Sequence, residues 1–205
     1  MTNINLRNLF KEVYTVQNYH EMEWLVEKVE KIIEKNTSQG KPSTILEIGI
    51  EMGGTLNIWR SLLNQNCIGK ENILIGIDTS PNIQFDISKS EITTELIIGD
   101  SHDIDTLRKV KKILFDKRLS IPNEDIMRQL DFVYIDGEHT PDAAKKDFYM
   151  YGGLVRNGGA VGFHDYFDVK KFLDLLDQNR LEIFKSPPHE RYGVNSPIGT
   201  AIYHI

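Results

Sequence analysis

The 205-residue chain contains one cysteine, Cys67, so no internal disulfide framework can form. A lone thiol suits a reducing compartment, and between Asn66 and Ile68 it reads as a spare loop side chain, not a nucleophile. No apolar run approaches the roughly 20 residues that span a bilayer. The opening stretch MTNINLRNLFKEVYTV lacks the apolar segment of a secretion signal, so a cytoplasmic location is expected. Basic tails and stripes are missing as well. The net charge is -6, with Lys and Arg spread along the chain, which argues against nucleic acid or a membrane as partner. Internal repeats, low-complexity segments and long linkers are also absent. The remainder is 40% hydrophobic and 26% charged, the balance of a globular protein long enough to bury a core without staples. One domain over residues 1–205 is expected, with 1–40 as a helical extension at its start.

Periodicity supplies the elements. Residues 21–35, EMEWLVEKVEKIIEK, place Met22, Leu25, Val26, Val29, Ile32 and Ile33 on one helical face. After a polar stop with Gly40 and Pro42 come short apolar runs bounded by turns: TILEIGI, NILIGID, TELIIGD, LDFVYIDG and GGAVGFHD. Helical stretches lie between them: TLNIWRSLL, DIDTLRKVKKILF, TPDAAKKDFYMYGGLV with Pro141 in its first turn, then DVKKFLDLLDQN. LEIFKS and TAIYHI read as final strands. Strands alternating with helices of about a dozen residues predict an α/β fold, a doubly wound and mostly parallel sheet with helices on both faces. Trp24 and Trp59 fall on apolar helix faces and are expected in the core. Two irregular segments, 116–126 and 185–197, have the composition of pocket-shaping loops.

In such sheets ligands sit beyond the carboxyl ends of the strands. The first tip is Glu47-Ile48-Gly49-Ile50-Glu51-Met52-Gly53-Gly54-Thr55. Gly49, Gly53 and Gly54 allow a tight turn and close approach to a ligand, and a helix starting near Thr55 aims free N–H groups at an anion. The second tip ends in Asp78, an acid able to accept from a ribose diol. The third, Gly99-Asp100-Ser101-His102, is placed for a purine edge. The dinucleotide spacing G-x-G-x-x-G is absent, and an acid precedes the first glycine. A different nucleoside-type cofactor is therefore expected.

The motifs ILEIGIEMGGT, IGIDTSP, IIGDS, DFVYIDGEH and NGGAVGFHD, in this order, resemble class I S-adenosylmethionine-dependent methyltransferases. The resemblance is closer to the metal-dependent O-methyltransferases, both catechol-type and the antibiotic-sugar and cephalosporin-hydroxylase-like type. It covers about residues 43–168 and the closing strand GTAIYHI. It implies a Rossmann-like sheet of seven strands with an antiparallel last strand. It also implies that Glu47, Gly49, Gly53, Gly54 and Thr55 surround the methionine part, that Asp78 holds the ribose, and that Asp100 and Ser101 flank the adenine. The family's middle glycine is replaced here by Glu51, which receives no role.

For methyl transfer to a hydroxyl, an acceptor proton must leave, and a divalent cation can orient and acidify that oxygen. The resemblance puts metal ligands at Asp136, His164 and Asp165. Magnesium or manganese is implied, and the imidazole at 164 also admits iron or zinc. His139 stands where catechol-type relatives carry the lysine that takes the proton, so it is the expected base, beside Asp136 as a catalytic residue. Asp142 and Asp147 are expected as a helix cap and a surface charge. His102 is expected beside the adenine, and His189, Arg191 and Tyr192 near a substrate. The expected activity is O-methylation of a small hydroxylated acceptor, a sugar or a phenol, with homo-oligomerisation left open. Two other readings stand beside it: an S-adenosylmethionine-binding protein without turnover, and a same-fold transferase without metal that moves an N-methyl or aminopropyl group.

Overall fold

The computed structural model describes residues 4–66, 71–88, 90–118, 128–186 and 198–205. Seven strands form one sheet: β1 (Thr44–Ile48), β2 (Ile73–Asp78), β3 (Thr93–Ile98), β4 (Leu130–Ile135), β5 (Val155–Phe163), β6 (Leu181–Ser186) and β7 (Ile198–His204). Their order is β3-β2-β1-β4-β5-β7-β6, parallel except that β7 runs antiparallel to both neighbours. The helices are α1 (Leu6–Glu12), α2 (Tyr19–Ser38), α3 (Gly54–Gln65), α4 (Ile104–Arg118), α5 (Pro141–Tyr151) and α6 (Tyr166–Leu173). The expected doubly wound, Rossmann-like architecture and its antiparallel last strand are what the chain forms. Among the described residues no helix is long and apolar enough to cross a membrane.

Strand alternation divides the core into two layers. Leu46, Ile75, Val133 and Val161 point to the face covered by α4, α5 and α6. Ile45, Leu74, Phe132 and Ile202 point to the other, where Met22, Leu25, Val26, Val29 and Ile33 of α2 pack with Leu56, Trp59 and Leu63 of α3. Trp59 is fully buried against Phe132 and Tyr134, whereas Trp24 is half-buried and stacked on Phe184.

Element ends follow local chemistry. Asn18 caps α2 by accepting from the N–H groups of His20 and Glu21, so that helix begins two residues before the apolar pattern and runs on to Ser38. Thr140 caps α5, with Pro141 at the first turn. That helix stops at Tyr151, short of its apolar pattern, and Val155 already belongs to β5. The segments expected to be irregular lie largely outside the described residues. Residues 116–118 end α4, and Lys185 and Ser186 end β6.

At the amino-terminal edge of the sheet, Asp131 is buried. It accepts from Thr44 N at 2.7 Å, Asn36 Nδ2 at 2.7 Å and Arg156 Nη2 at 2.9 Å, and it forms an ion pair with the same guanidinium, Oδ1 lying 2.8 Å from Nε. The contact ties α2, β1, β4 and β5 together. Asp131→Ala strips the counter-charge from a largely buried guanidinium, and urea denaturation is expected to show a loss of about 3–5 kcal/mol.

Candidate active site

The order β2-β1-β4-β5 puts the reversal of strand order between β1 and β4, and the cavity opens there, beyond the carboxyl ends. Its volume is about 610 Å³, within the range of small-molecule sites. Gly49, Gly54 and Thr55 line one side, with Asp78, Asp100 and Ser101 further along. His102 lines it too, and Asp136, His139 and His164 close the far end.

The turn after β1 is tight for a specific reason. Gly49 has φ +86, and a Cβ there would lie 2.0 Å from the carbonyl oxygen of Asp136. Gly53 has φ +83 and precedes α3 with no side-chain cap, so among the described residues no cap covers the first N–H groups of that helix, which can face an anion. Glu51 itself takes the left-handed conformation, at φ +49, that glycine adopts most readily. The loop is held by Asp78, whose Oδ2 accepts from Ile50 N and Glu51 N at 2.8 and 2.9 Å, while Oδ1 accepts from Ser80 N at 2.7 Å. A carboxylate has about four acceptor positions, so these three contacts leave Asp78 one to offer a ligand.

Glu47 is not among the residues that line the cavity. It is buried on β1, neither oxygen has a partner among the described residues, and burial pushes its carboxyl well above the usual range. Asp147 corrects an expectation. It is 1% exposed, not a surface charge, because Ala143, Ala144, Asp147 and Tyr151 form the buried face of α5. It lies 3.4 Å from His102 Nε2. Asp142 is not the cap; Thr140 is. His189, Arg191 and Tyr192 lie outside the described residues.

The second half of the site grows from the β4 and β5 tips. These strands pair in parallel with Ile135 beside Phe163, and His164 N donates to Ile135 O at 3.1 Å, so the next residues emerge side by side. Asp165 adopts φ +47, and its side chain makes no capping bond to α6. That left-handed turn leaves the carboxylate facing two imidazoles. His164 Nδ1 is 2.9 Å from Asp136 Oδ1 and 3.1 Å from Asp165 Oδ2. His139 Nδ1 is 2.7 Å from Asp165 Oδ2, and its Nε2 is 3.6 Å from Asp136 Oδ1. One ligand atom from each of Asp136, His139, His164 and Asp165 lies within 4.8 Å of the others.

The electrostatics follow from that crowding. Asp136 and then Asp165 hold the His139 imidazole up to about 10. Burial would lower His164, but the same two carboxylates outweigh it and keep that group well above its ordinary range. Burial would raise both aspartates, yet the imidazoles hold both below the usual carboxylate range. A general base must be unprotonated. In this arrangement His139 carries its proton at neutral pH, so the expected base is blocked until its carboxylate partners are shared with another charge.

This has a measurable consequence. The folded-state value of His139 lies above its ordinary 6.5, so the stability from its contacts is complete below pH 6.5 and is lost as pH rises through about 10. The Asp165 share runs the other way, present above its ordinary 3.8 and lost in acid. Half of the His139 side chain is exposed, and screening limits the alkaline loss to about 1 kcal/mol. Calorimetry of the cation-free protein is expected to show the melting temperature falling by about 2–4 °C between neutral pH and pH 10. Asp165→Asn should flatten that fall.

Two residues absent from the sequence reading complete the site. Gln17 donates from Nε2 to Asp136 Oδ2 at 2.7 Å and lines the cavity. Glu21, 1% exposed on α2, stands 3.8 Å from His164 Nε2. Burial, above all, raises its carboxyl to about 7. Its position four residues before Leu25 and eight before Val29, on the buried stripe of α2, was the available signal. For Gln17 no local signal exists.

A family described as a methyltransferase domain matches residues 46–166. An uncharacterized protein of Acanthamoeba polyphaga mimivirus is 29% identical over 135 residues, covering 66% of this chain and 57% of that protein. The chain thus spans little more than half of that relative's length. Among solved structures, the MycE methyltransferase from the mycinamycin biosynthetic pathway, in complex with Mg, S-adenosylhomocysteine and mycinamycin VI, matches with a TM-score of 0.53. It is 18% identical, over 80% of this chain and 38% of that one. An O-methyltransferase from Bacillus cereus in complex with S-adenosylhomocysteine matches with a TM-score of 0.53, at 14% identity over 97% of this chain and 96% of that one.

Proposed function

Because the chain belongs to this methyltransferase-domain family, we propose that it transfers a methyl group from S-adenosylmethionine to a hydroxyl of a small acceptor, a sugar or a phenol, with a divalent cation at the β4 and β5 tips. The observation that carries the reading is the meeting of Asp136, His139, His164 and Asp165 at the end of a cavity whose other end is a glycine turn and a helix N-terminus.

S-adenosylmethionine would supply an electrophilic methyl group. Gly49, Gly53, Gly54 and Thr55 would admit its amino-acid part against the start of α3, and the remaining acceptor position of Asp78 would take one ribose hydroxyl. Asp100, Ser101 and His102 would border the adenine. Ser101 is steadied there by Tyr151, whose hydroxyl donates to its carbonyl at 2.7 Å.

The donor set of Asp136, His164 and Asp165 fits a divalent ion, and two nearby imidazoles suit manganese, iron or zinc better than magnesium. A cation held there would orient and acidify the acceptor hydroxyl and, by sharing both carboxylates, bring His139 back toward the neutral form a base requires. His139 then stands ready to take the acceptor proton. Tyr14 and Val16, both exposed at the cavity wall, offer an apolar surface for the acceptor body.

The test is transfer of tritium from methyl-labelled S-adenosylmethionine to a panel of sugars, nucleotide sugars and phenols, with manganese or magnesium supplied. The reading predicts labelled product that a chelator abolishes. Cofactor binding with no transfer to any acceptor would favour a binding protein, and transfer that survives the chelator would favour a metal-free transferase.

A further inference from the structure

We propose that the segment from Gln17 to Glu21 is the positioning half of the cation site, with Gln17 fixing the carboxylate of Asp136 and Glu21 fixing the imidazole of His164. The proposal rests on the metal reading of the cluster and assigns roles to residues outside the strand tips.

Gln17 is 5% exposed and bridges two fixed groups. Its Nε2 donates to Asp136 Oδ2 at 2.7 Å, and its Oε1 accepts from the Tyr134 hydroxyl at 3.1 Å. An ionised carboxylate only accepts, so the amide nitrogen must face Asp136 and the amide oxygen must face Tyr134. Tyr134 cannot drift, being fully buried with its ring against Trp59 and Phe132. Gln17 thereby occupies Oδ2 and leaves Oδ1, the oxygen facing both imidazoles, for a cation. Glu21 acts on the opposite side. It lies 3.8 Å from His164 Nε2, so the other ring nitrogen, Nδ1, is turned toward Asp136 and Asp165. The gap is longer than a hydrogen bond, so Glu21 acts on the ring through its charge, from the side on which a carboxylate behind a ligating histidine sets ring orientation and ligand basicity.

The segment is itself anchored. Asn18 caps the helix that carries Glu21. Just ahead of Gln17, the chain passes so close to the start of α3 that a Cβ on Gly54 would come within 2.5 Å of Tyr14 O and of Thr15 Cβ. The strap therefore runs from the glycine turn to the cation ligands and holds the two half-sites in one geometry.

Isothermal titration of the whole chain with Mn²⁺, and separately with S-adenosylhomocysteine, tests this. Gln17→Ala and Glu21→Gln are each expected to weaken Mn²⁺ binding by about 10–100-fold, the usual effect of losing a group that orients a ligand, with S-adenosylhomocysteine affinity kept within about threefold. Tyr134→Phe keeps the core volume and removes only the hydroxyl. It is expected to weaken Mn²⁺ binding by about threefold or more in the parent and to add nothing in Gln17→Ala, because its effect passes through that amide. Unchanged melting temperatures and circular dichroism accompany the expected result. Mn²⁺ affinity in folded Gln17→Ala and Glu21→Gln within about twofold of the parent overturns the proposal, as does an equal effect of Tyr134→Phe in both backgrounds. A parent that binds S-adenosylhomocysteine but no Mn²⁺ overturns the metal reading and this proposal with it, while leaving the cofactor assignment standing.

Discussion

Asp136→Asn is expected to lower methyl transfer about a thousandfold, corresponding to roughly 4 kcal/mol of transition-state stabilisation, while the protein stays folded. The carboxylate is the hub of the candidate site. Its Oδ1 faces His164 at 2.9 Å and His139 at 3.6 Å, and its Oδ2 takes the Gln17 amide at 2.7 Å. Asparagine has nearly the same shape but no charge. It cannot serve as an anionic ligand, and it withdraws the counter-charge that holds both imidazoles up. Titration should show Mn²⁺ affinity reduced by about 100-fold or more, beyond what loss of an orienting group produces. S-adenosylhomocysteine affinity should change by less than about threefold, since the nucleoside contacts proposed above lie on other strand tips. If Asp136→Asn kept full transfer and Mn²⁺ affinity, the cluster would be an ion-pair network and nothing more.

The second large effect is expected from Gly49→Ala. The added methyl group would sit 2.0 Å from the Asp136 carbonyl oxygen, 2.5 Å from its carbon and 2.9 Å from Gly137 Cα. All three are backbone atoms, so no side chain can step aside. The residue would also hold φ +86, adding about 1–2 kcal/mol of strain. A total above about 4 kcal/mol places the substitution among the exceptional ones. Urea denaturation should show that loss, and any folded fraction should bind S-adenosylhomocysteine poorly, because β1 and β4 must part at the point where the cavity begins. Gly53→Ala is the informative contrast. Its φ is similar at +83, but the nearest clash, 2.8 Å, is with the ring edge of Phe85, which can turn aside. Its stability loss should be well under half that of Gly49→Ala.

Much of this site could be read along the chain because the tips of parallel strands share one end of the sheet. Once LDFVYIDG and GGAVGFHD are taken as neighbouring strands, Asp136 and the pair His164 and Asp165 must emerge together, and they do. His139 joins them because a three-residue turn keeps it near Asp136. Asp147 departs from the surface position that an acid in a helix takes by default. Its spacing from Ala143 and Tyr151 on one helical face held the better signal. Glu21 departs from that default in the same way.

The sequence by itself determined the alternation of strands and helices, the two-sided burial of the sheet and the residues at each strand tip, since these depend on local periodicity and on turn chemistry. Only the tertiary structure decided the protonation of the site and its inner support. Gln17 meets Asp136 across 119 positions of sequence, and no pattern near either residue encodes that contact. Likewise, the proton on His139 is set by two carboxylates from different strand tips converging on one ring, a sum of distances that exists only after the chain has folded.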